Sequence, residues 1–205
     1  MRRVIDRYTV EFSILDGGFL YHPANREDVR KRGQTDERKW LSDWHRGHAG
    51  EIGVYYILRE LGWDLAYPDV TYGRNKHNPD LVGCNERKQE VKIQVKSLSD
   101  YSLSYVFQKS ALSNPFPPNY LLAGISVKYL GCREAGLFKA SLMNLMPMPK
   151  VPPLLKPLLK EELDSKLALY VKDIPSRFVY GSRLVGGDFG CISELQHPEV
   201  LQLVL

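Results

Sequence analysis

The chain has 205 residues, 43% of them hydrophobic and 25% charged, which are ordinary values for one globular domain with a sizeable core. Its 28 basic and 24 acidic residues leave a formal net charge of +4, a surplus that permits a polyanionic partner without establishing one. Three widely spaced cysteines (Cys84, Cys132 and Cys191) form no CxxC pair, which argues against a disulfide framework or a zinc ribbon and for reduced thiols in a cytoplasmic protein.

In chain order, the basic N-terminus lacks the apolar core of a secretory signal. Residues 8–15 alternate and predict a strand, with Asp16-Gly17-Gly18 as its turn. A charged segment, 26–46, carries Trp40 and Trp44 at helical spacing and predicts a helix interrupted near Gly33. A largely buried helix is expected over 47–61, ended by Gly62. A short strand over 63–67 follows, then a polar loop over 71–78 with Arg74, Lys76 and His77.

Residues 80–83 predict a strand, 84–88 a turn and 89–97 the return strand. Val91, Ile93 and Val95 lie on one face of that strand, and Glu90, Lys92, Gln94 and Lys96 on the other. A helix is expected over 105–112, and a proline-rich loop over 114–119. A strong strand is expected over 120–130. Composition shifts after about Ala140, and residues 146–157 look irregular. One more strand is expected over 167–171, a flexible turn at Gly186-Gly187, and a helix or strand over 199–205. The order predicts an α/β domain, a central mixed sheet flanked by helices. The longest apolar run, near 120–127, is too short to span a bilayer.

The hairpin over 78–97 carries the chemistry. Hydrolysis of a phosphodiester needs hard oxygen ligands for a divalent cation and a positive group for the transition state. Asp80 supplies one carboxylate. Either Glu90 with Lys92, or Gln94 with Lys96, supplies the rest, each pair being two apart and so on one face of the strand. The strand from Glu90 to Lys96 spans ~20 Å at ~3.3 Å per residue, so the two pairs cannot share one site. A turn centred on Arg87 sets Asp80 opposite Gln94; one centred on Glu86 sets it opposite Lys92. Glu90 and Lys92 lie nearer the charged tip, which makes Gln94/Lys96 the preferred pair and Glu90/Lys92 the alternative register. His45 and His48 have a helical ligand spacing but no evident third ligand.

Pro79-Asp80 followed by Glu90-Val91-Lys92 spells PD-(D/E)xK, and the chain resembles the restriction-endonuclease-like nuclease superfamily. Ile93-Gln94-Val95-Lys96-Ser97 resembles the QxK variant found in some restriction and intron-encoded homing endonucleases. Gly47-His48-Ala49-Gly50-Glu51 resembles the Gly-x-x-Gly-Glu helix that precedes the hairpin in many members. The resemblance covers 47–97 and, more loosely, the chain to 130. It implies a restriction-endonuclease-like core over about 47–130 of a single domain, 1–205. Residues 1–46 and 140–205 would be additions for DNA reading or assembly. It further implies a Mg²⁺-dependent endonuclease (Mn²⁺ substituting) of restriction or homing type that cuts double-stranded DNA sequence-specifically as a homodimer or higher homo-oligomer. Asp80, Gln94 and Glu51 would hold the metal, and Lys96 would act on the attacking water. By charge and position, Arg74, Lys76 and His77 could either contact DNA phosphates or form a solvated loop, and Lys109 could touch the DNA backbone. A Holliday-junction resolvase and a non-catalytic nucleic-acid-binding protein are the alternatives.

Overall fold

A computed structural model describes residues 2–13, 37–68, 79–98, 103–113, 115–130, 136–158 and 166–180, with backbone alone over 37–44. Ten strands and one α-helix are defined among them. They are β1 (Arg2–Asp6), β2 (Thr9–Ser13), α1 (Glu37–Glu60), β3 (Asp64–Leu65), β4 (Leu81–Cys84), β5 (Glu90–Leu98), β6 (Ser104–Gln108), β7 (Tyr120–Tyr129), β8 (Leu137–Pro147), β9 (Lys156–Pro157) and β10 (Lys166–Tyr170). Seven strands form one sheet in the order β1-β2-β8-β7-β5-β4-β3, and three form a second in the order β6-β10-β9. The large sheet is mixed: β5 and β7 run parallel, and the other pairs are antiparallel. The molecule is therefore an α/β structure of three layers: α1, the seven-stranded sheet and the small sheet.

Strand β5 shows how the sequence builds these layers. Val91, Ile93 and Val95 are buried in the cluster that holds Ile52, Val54, Ile57 and Leu58 of α1. The opposite face of the sheet, with Leu98, Tyr120, Leu122 and Met146, packs on Tyr105 and Phe107 of β6 and Leu169 of β10. At ~25 cal/mol per Å² of apolar surface, burial on both faces is the main favourable contribution to the fold.

Helix α1 is continuous through Arg46 and Gly47, so the expected boundary between two helices there does not exist. Gly50 explains how a helix can lie so close to the sheet, since a Cβ at that position would collide with the Ser97 hydroxyl. The helix stops as expected. Gly62 has φ +88°, and the bonds Gly62 N–H to Arg59 O (3.1 Å) and Trp63 N–H to Leu58 O (3.0 Å) satisfy the last carbonyls.

Three expectations are corrected. Residues 105–112 form not a helix but β6 followed by a 3₁₀ turn, Lys109–Leu112; Tyr105 and Phe107 point inward while Val106 and Gln108 are exposed, a period of two. Strand β8 was not foreseen, yet it sits between β2 and β7, so the sheet extends beyond the expected core of 47–130 on both sides. The N-terminal strand is a hairpin, β1 and β2, in which Asp6 Oδ1 accepts the Tyr8 N–H at 2.8 Å. The elements expected over 14–36, the turn at Gly186-Gly187 and the terminal segment 199–205 lie outside the described residues.

The turn between β4 and β5 is built by Asn85, which is 2% exposed. Its Oδ1 accepts the backbone N–H groups of Arg87 (2.9 Å) and Gln89 (3.0 Å), and its Nδ2 donates to Gln89 Oε1 (2.8 Å). Lys88 closes the loop at φ +63°, a left-handed conformation that favours glycine. Asn85→Ala should lower stability by ~2 kcal/mol, because two turn N–H groups lose their acceptor. Lys88→Gly should raise it by ~0.5–1 kcal/mol. Urea unfolding of both variants checks the pair; equal and opposite signs to these would refute the assigned turn.

Candidate functional site

The turn centres on Arg87, and the ladder pairs Leu81 with Ile93 and Val82 with Lys92. Asp80 therefore falls opposite Gln94, with its own N–H donating to Ile93 O at 2.8 Å. The side chain then does what the backbone of a longer β4 would have done. Asp80 Oδ2 accepts the Val95 N–H at 2.6 Å and a short hydrogen bond from Gln94 Nε2. The other end of the Gln94 amide, Oε1, faces the hydroxyl of Tyr120, which donates to it at 3.4 Å. Asp80 is 9% exposed, so these bonds form largely out of water, where they are strongest.

Lys96 lies two residues farther along the same face. Burial lowers its pKa below the ordinary lysine value, and the attraction of the Asp80 carboxylate opposes that shift. The ammonium stands over the Phe107 ring, 5.2 Å from its centroid. A lysine in this setting can serve as a cation or, once deprotonated, as a base.

The alternative pair is placed elsewhere. Glu90 pairs with Cys84 and Lys92 with Val82, and their side chains lie 3.8 Å apart at 70% and 41% exposure. Asp80 does not face them. Glu51 falls in the middle of α1, so stabilisation by the helix N-terminus does not explain it. Its carboxylate is 3.6 Å from His48 Nδ1, and its side chain is 13% exposed. Because Gly50 abuts Ser97, Glu51 stands near the Lys96 end of β5, on the helix that covers the other face. Lys109 is exposed at the end of β6. Arg74, Lys76 and His77 lie outside the described residues.

Among the described residues, no three His, Cys, Asp or Glu side chains gather as a metal-holding group. The hard oxygens of Asp80, Gln94 and Glu51 fit Mg²⁺ in chemical kind. Two residues near this site were not foreseen from sequence: Tyr120, which reaches Gln94 from a neighbouring parallel strand, and Phe107, which lies in the segment read as a helix. Only the aromatic character of both positions hinted at a role. No protein-family model and no curated protein matches the chain.

Between the lowered folded pKa of Lys96 and its ordinary value, the unfolded chain binds more protons, so stability rises with pH across that window. Lys96 thus destabilises the fold below its folded pKa, and this cost disappears as the pH approaches the ordinary lysine value. Lys96→Met should be more stable than the wild type at pH 7, with the advantage shrinking as pH rises toward 10. Thermal melts at several pH values read this directly, and a pH-independent difference would contradict the burial of the ammonium.

Proposed function

We propose that the protein is a Mg²⁺-dependent DNA endonuclease with a restriction-endonuclease-like core, acting on double-stranded DNA as a homodimer or higher homo-oligomer. The observation that carries this reading is the hairpin register. It joins Asp80 to Gln94 by a hydrogen bond and sets Lys96, partly buried, within the field of that carboxylate. A salt bridge serving only stability would not need a lysine whose burial works against its charge.

Asp80 and Gln94, with Glu51 as second carboxylate, are the residues that would hold the ion. When bound there, Mg²⁺ would polarise the phosphate and lower the pKa of the attacking water. In the free protein the Gln94 amide turns its Nε2 to Asp80 and its Oε1 to Tyr120, so Gln94 would join Asp80 on the ion only with its amide turned over. Lys96 orients the water; as an amine it accepts the water's proton, and as an ammonium it stabilises the charge that builds on phosphorus. A bond forms between the water oxygen and phosphorus, and the bond from phosphorus to the 3′ oxygen breaks. That oxygen takes a proton from solvent, leaving a 5′-phosphate and a 3′-hydroxyl.

Plasmid, linear duplex and four-way-junction DNA, incubated with Mg²⁺, Mn²⁺ or EDTA, test the reading. Cutting of duplex that EDTA abolishes is expected, and Asp80→Asn and Lys96→Ala should each reduce it by ~10²–10⁴-fold while circular dichroism stays native. Glu90→Gln with Lys92→Ala should retain cleavage within about tenfold of wild type, the effect of removing exposed charges. Cutting confined to junctions would favour a resolvase. No cutting of any substrate would leave a non-catalytic nucleic-acid-binding protein as the better description.

A further inference from the structure

Lys96 is flanked by a row of buried groups that the proposed chemistry does not use. In β7 its register partner is Gly124, and the partner of Gly124 in β8 is Asn144. A Cβ on Gly124 would collide with the Asn144 side-chain oxygen and the Tyr105 hydroxyl, so the space beside Lys96 is filled by these two polar groups. The Tyr105 hydroxyl donates to Asn144 Oδ1 at 2.7 Å. That bond fixes how deeply β6 sits on the large sheet. Phe107, two residues on and on the same face of β6, is thereby brought over the Lys96 ammonium, 5.2 Å from ring centroid to Nζ.

We propose that Phe107 is a positioning residue, whose ring holds the Lys96 ammonium beside Asp80 and so sets where the lysine meets the scissile phosphate. The inference rests on the nuclease reading. A cation is drawn to the face of an aromatic ring, and the attraction grows when water is excluded, as it is here at 3% exposure of Phe107. An aliphatic side chain would fill the same space without that attraction, and the flexible four-carbon stem of Lys96 would then be free to adopt other rotamers.

The test compares Phe107→Leu with Phe107→Tyr, which keeps the ring, and uses Lys96→Ala as the reference for loss of the lysine. In DNA cleavage with Mg²⁺, Phe107→Leu should lower kcat by ~10–100-fold, the cost of a misplaced catalytic group, with KM within about twofold of wild type. Phe107→Tyr should recover most of that loss. By NMR, the Lys96 side-chain protons, identified by their absence in Lys96→Ala, should show a ring-current shift that Phe107→Leu abolishes and Phe107→Tyr preserves. Should Phe107→Leu fail to fold, Phe107→Met supplies the same contrast. Equal losses in the Leu and Tyr variants, wild-type kcat in Phe107→Leu, or an unshifted Lys96 resonance would each overturn the proposal. A wild-type protein that cuts no DNA overturns the nuclease reading instead, and the NMR comparison still decides whether Phe107 holds Lys96.

Discussion

The Asp80 carboxylate replaces a missing stretch of β4. That strand pairs with β5 only as far as Ile93, and the next inward N–H of β5, that of Val95, is taken by Asp80 Oδ2 rather than by a backbone carbonyl. Without this acceptor a buried N–H would be left unsatisfied at a cost of ~1–3 kcal/mol. The same oxygen also receives the Gln94 amide, so one carboxylate fixes both the end of the ladder and the side chain opposite. A slip of one residue would turn Val91, Ile93 and Val95 away from α1 and drive Lys92 and Gln94 into the core. The Asn85 turn enforces the same register from the other end of the hairpin.

With the register fixed, the two faces of β5 have different obligations. The apolar face holds α1, and the polar face would be expected to meet water. Instead it is partly covered by the small sheet, because Tyr105 and Phe107 of β6 and Leu169 of β10 close over it. Gln94 and Lys96 are thus polar groups beneath a layer of protein, whereas on the same face Glu90 is exposed and the Lys92 side chain is 41% exposed. Folding alone does not favour that arrangement, since an apolar residue at 96 would bury at less cost. A local rule broken without structural gain is the pattern expected at a working site.

The parts of this arrangement that were legible in the sequence are those set by local rules. The alternation of β5 marked its two faces, Gly62 marked the end of α1, and the charged segment between Cys84 and Gln89 marked the turn. The choice between the two kits was a question of register, and register was decided by Asn85, whose side chain selects a loop centred on Arg87. Strand β6 was misread because five residues containing the apolar run Tyr105-Val106-Phe107 do not distinguish a strand from a buried helical turn. Only its pairing with β10, far along the chain, defines it. Strand β8 was missed for a different reason. From Leu142 to Pro147 it is buried on both faces, so alternation disappears, and the bulge at Met143, where Gly124 and Ile125 of β7 pair with Asn144 and Leu142, breaks the pattern further.

The end of β4 at Ile93 also bears on how Glu51 can act with groups on the other side of the sheet. Helix α1 covers one face of β5, and Gln94 and Lys96 project from the opposite face. A continuous strand beside β5 would separate them. Among the described residues, however, β4 gives β5 no ladder pairing beyond Ile93; Asp80 donates its N–H to Ile93 O and accepts the Val95 N–H through its carboxylate. Gly50, the residue before Glu51, lies against Ser97, one residue past Lys96, where the helix touches the sheet. Under the nuclease reading, this edge is where a carboxylate from the helix side, the Asp80 carboxylate and the lysine can converge on one phosphate. On that reading the short β4 would serve the site: a longer strand would satisfy the Val95 N–H equally well, but it would take from Asp80 the hydrogen bond that turns its carboxylate toward Gln94.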